Sequence, residues 1–227
     1  MNIGVIIPAA GRGTRMKSNI NKQYIKLLNK PVITHTLDLF YNDERIKDIV
    51  LVIKDTEVSY CQKNILEKYN FNNVHIVAGG KTRKESVFAG LMAFSPAIDY
   101  VIIHDGARPL LNMKIIERVV NNLDKYKAIT TGVEVKDTIK IKDSNNFVYR
   151  TMDRNRLVAI QTPQAFSYKL ILKAHREFAD VEVSDDASLV EKMGQPVKIV
   201  KGSYENIKIT TPEDLNYARL ILKNRGK

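Results

Sequence analysis

The stretch IGVIIPAAGRGTRMKSNINKQY, residues 3–24, joins an apolar run to a loop dense in glycine and positive charge. Ile3 to Ile7 has the length and branched apolar content of a strand buried on both faces. Within the next dozen residues come Gly11, Arg12, Gly13, Arg15 and Lys17, where an ordinary turn needs only turn formers. The pattern G-x-x-x-x-G-K-[ST] is absent, and Gly11-Arg12-Gly13 lacks the third glycine of the dinucleotide fingerprint. Glycines still let backbone N–H groups come close to an anion, while Arg15 and Lys22 can add a guanidinium fork and a mobile ammonium. Such a set suits a polyphosphate whose charge shifts during reaction, so a nucleoside triphosphate fits better than a dinucleotide. Taken alone, the loop is equally a plain strand-to-helix turn.

Apolar runs of the same kind recur at Ile49–Ile53, Val74–Val77, Tyr100–His104, Ile129–Val135 and Val197–Val200. Between most of them the spacing predicts helices, over 31–40, 57–69, 83–94, 114–123, 168–178, 185–193 and 212–224. Strand and helix in alternation mean an α/β chain with a mostly parallel sheet covered on both faces. Ligands of such sheets sit at the carboxyl ends of the strands. Residues 136–156 break the alternation. Ile139 and Ile141 alternate with Lys140 and Lys142, turn formers occupy 143–146, and Phe147-Val148-Tyr149 resumes a strand. This hairpin, inserted into a single domain spanning 1–227, must pack its apolar face on something. A partner subunit and its own domain are both open at this point.

The bulk numbers bound the function. Lys+Arg of 36 against Asp+Glu of 25 gives a net charge of +11, which attracts polyanions or merely solvates the surface. Aromatic residues at 7%, with no Trp, do not favour a nucleic-acid groove. Cys61 is the one cysteine, so no intrachain disulfide forms and a reducing compartment is expected. The first apolar run is too short to span a bilayer and has no basic lead. A cytoplasmic protein without a membrane partner is the expectation.

Two further strand ends carry chemistry. AGGKTRKES, residues 78–86, follows a strand and opens a helix, so Gly80, Arg83 and Ser86 can meet an anion or the polar edge of a base; a glycine turn capped by Thr82 is the plain alternative. IIHDGARP, residues 102–109, ends a strand with Asp105, a carboxylate that can reach Mg²⁺ or a sugar hydroxyl. His104 is its neighbour on a strand and points to the opposite face, which argues against a His-Asp pair. His35, His75 and His175 lack metal or triad spacing. Ser184-Asp185-Asp186 and Thr211-Pro212-Glu213-Asp214 read as helix starts, with acids at the positive end of the dipole. Asp137-Thr138, Asp153-Arg154, QTPQ at 161–164 and Asn206-Ile207-Lys208 are, singly, ordinary turns or surface charges.

As a set, AAGRGTRM with Lys22-Gln23-Tyr24, GGKTRKESV, HDGARP, VKDT, TMDRN, QTPQAF, SDDAS and NIKIT-TPEDL resembles the 2-C-methyl-D-erythritol 4-phosphate cytidylyltransferase family, in its order and over almost the whole chain. The resemblance implies a Rossmann-like nucleotidyltransferase sheet flanked by helices, and 136–156 as a β-hairpin dimerisation arm of a homodimer. It implies CTP and methylerythritol phosphate as substrates, with Mg²⁺ or another divalent cation. It places Arg15 and Lys22 on the attacked α-phosphate, and Ala9, Ala10, Gly11, Gly13, Gly80, Arg83, Ser86 and Asp105 around CTP. The metal also falls to Asp105, together with substrate phosphates. Arg108, Thr138, Arg154, Thr162 and Lys208 fall to the acceptor, with Thr138 and Arg154 reaching the site of the other subunit. Lys81 departs from members that carry an acid there. Two other functions stay open: a ribitol-5-phosphate cytidylyltransferase, and a non-catalytic nucleotide- or RNA-binding protein.

Overall fold

The computed structural model describes residues 1–11, 16 and 21–226. In chain order it contains β1 (Ile3–Pro8), β2 (Lys26–Leu27), β3 (Lys30–Pro31), α1 (Val32–Tyr41), β4 (Ile46–Ile53), α2 (Val58–Cys61), β5 (Val74–Ala78), α3 (Arg83–Ala93) and β6 (Tyr100–Ile103). There follow α4 (Met113–Val120), β7 (Ala128–Glu134), β8 (Lys140–Lys142), β9 (Val148–Thr151), β10 (Val158–Ser167), α5 (Tyr168–Glu177), α6 (Ala187–Lys192), β11 (Lys198–Lys201) and α7 (Pro212–Arg225). The helix begun by α2 continues as wider π turns over Gln62–Glu67.

Seven strands form one sheet in the order β11-β7-β10-β6-β1-β4-β5. All are mutually parallel except β10, which runs antiparallel to both β6 and β7. The expected mostly parallel α/β sheet is therefore present, with one strand the apolar runs did not announce. Pro163 breaks the pattern of β10, because a proline cannot donate to a central ladder. Here it sits where the register against β7 shifts between Gln161 and Gln164, so no ladder bond is asked of it.

Side-chain alternation along β1 divides the core. Ile3, Val5 and Ile7 join Ile33, Leu37 and Phe40 of α1 and Ile115, Ile116 and Val119 of α4 on one face. Ile6 joins Val87 and Leu91 of α3 and Ile171 and Ala174 of α5 on the other. Fully burying a side chain of this size contributes about 1.5–3 kcal/mol, so both faces are held apolar. Gly4 lies on the second face, where a Cβ would come within 2.7 Å of the Phe94 ring. No helix among the described residues is long and apolar enough to cross a membrane.

Residues 136–156 form the expected hairpin, β8 paired to β9 in a two-stranded sheet of its own. Asp143 Oδ1 accepts the N–H groups of Asn145 and Phe147, both at 2.9 Å, and Asn146 takes a positive φ, which closes the turn. Phe147, Val148 and Tyr149 are 72%, 62% and 77% exposed, so the hairpin does not fold back on its own sheet.

Candidate active site

Three loops meet at the carboxyl ends of β1, β5 and β6. Their contact is tight: a Cβ on Gly79 would lie 2.7 Å from that of Ala10, and one on Gly106 would lie 3.1 Å from that of Ala9. The loops line an open cleft of about 180 Å³ with Ala9, Ala10, Gly11, Lys22, Gly80, Arg83, Ser86, Asp105 and Lys208 among its walls. A second cleft adjoins it, lined by Arg108, Gln161, Thr162, Ser184 and Asp185 among others. Arg83, Asp105 and Lys208 belong to both. Gly13 and Arg15, expected at the first cleft, lie outside the described residues.

Asp105 is the hub. Its Oδ1 accepts from Arg83 Nε at 3.0 Å, and its Oδ2 lies 2.7 Å from Lys208 Nζ and 3.8 Å from Arg108 Nε. Burial by itself would raise its pKa, but the charges of Arg83, Lys208 and Arg108 outweigh that and hold the carboxyl well below the usual range. Lys208 arrives on the segment 206–209, which is fixed by Ile209 N–H to the Ala107 carbonyl at 2.8 Å and by Asn206 Nδ2 to the Thr162 carbonyl at 2.8 Å. Lys22 Nζ donates to the Ile209 carbonyl at 2.9 Å, so the same segment sets both lysines.

His104 is no partner in chemistry for Asp105. The Asp105 N–H donates to Thr162 Oγ1 at 3.0 Å, which leaves the hydroxyl hydrogen for His104 Nδ1 at 3.1 Å and puts the ring proton on Nε2, 3.1 Å from the Arg108 carbonyl. Burial pushes its pKa down to about 4, against partial compensation by the Arg108 carbonyl. At neutral pH the ring is an uncharged strut behind the strand end. Thr162, expected on the acceptor, is 5% exposed with its hydroxyl engaged in this strut, though it borders the second cleft.

The α3 start has the Thr82-capped turn that is the plain reading of residues 78–86. Thr82 caps the helix, Glu85 N–H to Oγ1 at 3.1 Å, and Glu85 Oε2 takes the Lys81 N–H at 2.6 Å. Those two donors are therefore closed to a ligand. Ser86 is in the cleft wall with its hydroxyl donating to the Thr82 carbonyl at 2.9 Å, which leaves its lone pairs as acceptors.

The structure corrects the reading of Ser184 as the cap of α6, with both acids merely at its positive end. Asp185 does the capping, with Ser188 N–H on its Oδ1 at 3.1 Å. Asp186 is 1% exposed; its Oδ2 takes Arg83 Nη1 at 2.7 Å and its Oδ1 lies 3.2 Å from His175 Nε2. Arg83 is thus stretched between Asp105 and Asp186, which favours a structural orientation of its fork along with any ligand contact. Burial alone would lower its pKa; the two carboxylates raise it instead. Thr138 and Arg154 line neither cleft of this chain, and Arg154 Nη1 donates to the Lys136 carbonyl at 3.0 Å.

Residues 3–224 match the model of the family described as 2-C-methyl-D-erythritol 4-phosphate cytidylyltransferase. The chain belongs to this family. It is 47% identical to the 2-C-methyl-D-erythritol 4-phosphate cytidylyltransferase of Caldanaerobacter subterraneus subsp. tengcongensis, over 98% of this chain and 100% of the relative. The cytidylyltransferase of the same description from Clostridioides difficile is 48% identical, over 96% and 92%. Among solved structures, the 4-diphosphocytidyl-2C-methyl-D-erythritol synthase of Anaerococcus prevotii superimposes with a TM-score of 0.87 at 39% identity, covering 97% of this chain and 96% of that one. The bifunctional IspDF of Campylobacter jejuni matches with a TM-score of 0.81 at 28% identity, over 96% of this chain and 54% of its own.

No group of three or more His, Cys, Asp or Glu side chains stands ready for a metal among the described residues. A cation held jointly with substrate phosphates needs less, since Mg²⁺ takes one or two carboxylates and fills the rest from phosphate and water. Asp105 is the carboxylate in the cleft that keeps a lone pair on each oxygen, but Arg83, Arg108 and Lys208 already surround it with positive charge.

Proposed function

We propose that the first cleft binds CTP and the second binds 2-C-methyl-D-erythritol 4-phosphate, and that the cytidylyl group crosses the Arg83–Asp105–Lys208 wall they share. A phosphate oxygen of the acceptor attacks the α-phosphorus of CTP, the bond from that phosphorus to the bridging oxygen of the β-phosphate breaks, and pyrophosphate leaves. The products are 4-diphosphocytidyl-2-C-methyl-D-erythritol and pyrophosphate. A phosphate monoester has its second pKa near 6, so the nucleophile is anionic at neutral pH and no general base is required. Catalysis is then alignment and neutralisation of charge. The shared wall carries this reading, because it brings two anionic substrates against the same two cations, Arg83 and Lys208.

Each side chain takes a role in that reading. Ala9, Ala10, Gly11 and Gly80 give a narrow backbone cradle for the nucleotide, with Ser86 an acceptor on its base or ribose side. Lys22 neutralises the α-phosphate. Gly13 and Arg15 join them by sequence alone. Lys208 and Arg108 attract the acceptor phosphate, with Asp105 balancing them and, with the triphosphate, holding a divalent cation that would supply further charge neutralisation. Thr162 keeps the Asp105 backbone in place. The chain works as one cytidylyltransferase domain, and residues 136–156 as its arm in a homodimer.

The test is pyrophosphate release from CTP with each polyol phosphate in turn. Turnover with methylerythritol phosphate is expected; turnover with ribitol phosphate alone overturns the acceptor assignment. A protein that only binds nucleotide or RNA gives release with neither and an RNA affinity that falls steeply with salt.

The arm yields a prediction of its own. Arg154 lies at its base, bonded to the Lys136 carbonyl, in a turn capped by Asp153 whose Oδ1 accepts the Asn155 N–H at 3.1 Å. If the arm reaches a second subunit, Arg154→Ala raises KM for methylerythritol phosphate by about tenfold or more, the loss of a charge-assisted contact, with KM for CTP little changed. A defect confined to CTP would remove Arg154 from the acceptor.

A further inference from the structure

Lys22 occupies a 3-10 turn, Lys22–Tyr24, whose two flanking amides end on one side chain. Asn21 donates its Nδ2 to Glu57 Oε1, and Gln23 donates its Nε2 to Glu57 Oε2 at 3.0 Å. Glu57 belongs to the turn Asp55–Glu57 between β4 and α2 and is 36 and 34 residues from its two partners. Asn21 is a residue type suited to capping, yet its side chain makes no cap bond to its own turn. Gln23 is 2% exposed and lines the first cleft beside Lys22. Lys54 Nζ stands 3.8 Å from Glu57 Oε1 and offsets part of its charge.

The two bonds constrain more than either alone. They hold positions i−1 and i+1 about Lys22 to the two oxygens of a single planar carboxylate, so a rotation of the turn that swings the lysine must break one of them. Tyr24, next along, packs edge-on to Tyr60 at 4.9 Å and extends the contact to the start of α2. The lysine stem thus leaves a fixed backbone, and its ammonium reaches the Ile209 carbonyl at 2.9 Å on the cleft wall.

We propose that Glu57 is a positioning residue for the reaction: it clamps Asn21 and Gln23 so that Lys22 presents its ammonium to the nucleotide cleft in one orientation. The proposal rests on reading Lys22 as the cation that acts on the reacting phosphate. Glu57→Gln keeps the volume and removes the carboxylate, and it is expected to lower kcat by about ten- to a hundredfold, the scale of a misplacement of the order of 1 Å. The CTP dissociation constant, measured by calorimetry, stays within about twofold, because the clamp affects a contact realised in the transition state.

A double-variant cycle separates this from a loss of local packing. Lys22→Gln and Lys22→Gln/Glu57→Gln are assayed with enzyme raised until the residual rate is measurable, and equal rates are expected, since a clamp has no effect once its lysine is gone. Glu57→Gln lowering the rate by the same factor in both backgrounds, or changing kcat in neither, overturns the proposal. CTP affinity falling in step with kcat/KM also overturns it. Near-normal turnover in Lys22→Gln alone would instead overturn the reading of Lys22. Should Glu57→Gln fold poorly, Asn21→Ala/Gln23→Ala removes the clamp from the other side and is expected to give the same cycle.

Discussion

Lys22→Ala is expected to lower kcat by about 10²–10⁴-fold, the range for a cation or donor aimed at a transferring phosphoryl group, with CTP affinity changed only a few-fold. The reason is the timing of charge. On the proposed reading the triphosphate is met in the ground state by the backbone cradle and would be met by a divalent cation as well, whereas during transfer new charge appears on the α-phosphate and the leaving pyrophosphate. Lys22 lines the cleft and is set by the Ile209 carbonyl, on the segment that delivers Lys208 to Asp105 at 2.7 Å. Two of the cations are therefore placed by one piece of backbone, and removing the Lys22 side chain leaves Lys208 where it was. Turnover and CTP binding must be measured separately. A kcat near that of the unaltered enzyme, with a raised KM for CTP, would make Lys22 a uniform binding contact with no part in the transition state.

Much of this arrangement is legible in the residues because each loop follows an apolar run whose edges are sharp. Ile3–Ile7, Val74–Val77 and Tyr100–Ile103 are apolar enough to read as buried strands, and a parallel sheet sends the glycine-bearing loops that follow them to one side. What resists reading is pairing at long range. Asp186 stands at a helix start and looks like an acid at its positive end; only the fold brings it to Arg83, 103 residues earlier in the chain. Asn206 looks like a turn residue, and its work in tying the Lys208 segment to Thr162 depends on β10, which Pro163 disguises. Glu57 is similarly silent, being one acid on a short turn. For such residues the signal that could have helped is chemical: an arginine in a loop needs carboxylates, and 78–86 contains just one acid, Glu85, which is taken by the backbone.

Asp186→Ala is expected to lower the unfolding free energy by about 3 kcal/mol, the low end for orphaning one partner of a buried ion pair, since Arg83 keeps Asp105 and is 29% exposed. For a chain of 227 residues that is a fall in Tm of roughly 6–12 °C. The pH dependence identifies the cause. Burial by itself would raise the Asp186 pKa, but the Arg83 charge and the His175 contact outweigh it and hold the carboxyl below its ordinary value. A carboxylate depressed in the folded state stabilises fully above its unfolded pKa of about 4, and that stability is lost as pH falls through the folded pKa. The gap in Tm between the unaltered chain and Asp186→Asn should therefore be constant from pH 7 to about pH 5 and narrow below about pH 4. A gap independent of pH down to pH 3 would show that Asp186 acts through packing, and that Arg83 is held by Asp105 alone. If the gap narrows as expected, Arg83 is a bridge. The carboxylate at the centre of the site is then braced by a second one, buried behind α6, whose loss loosens the wall between the two clefts and lowers kcat/KM for both substrates together.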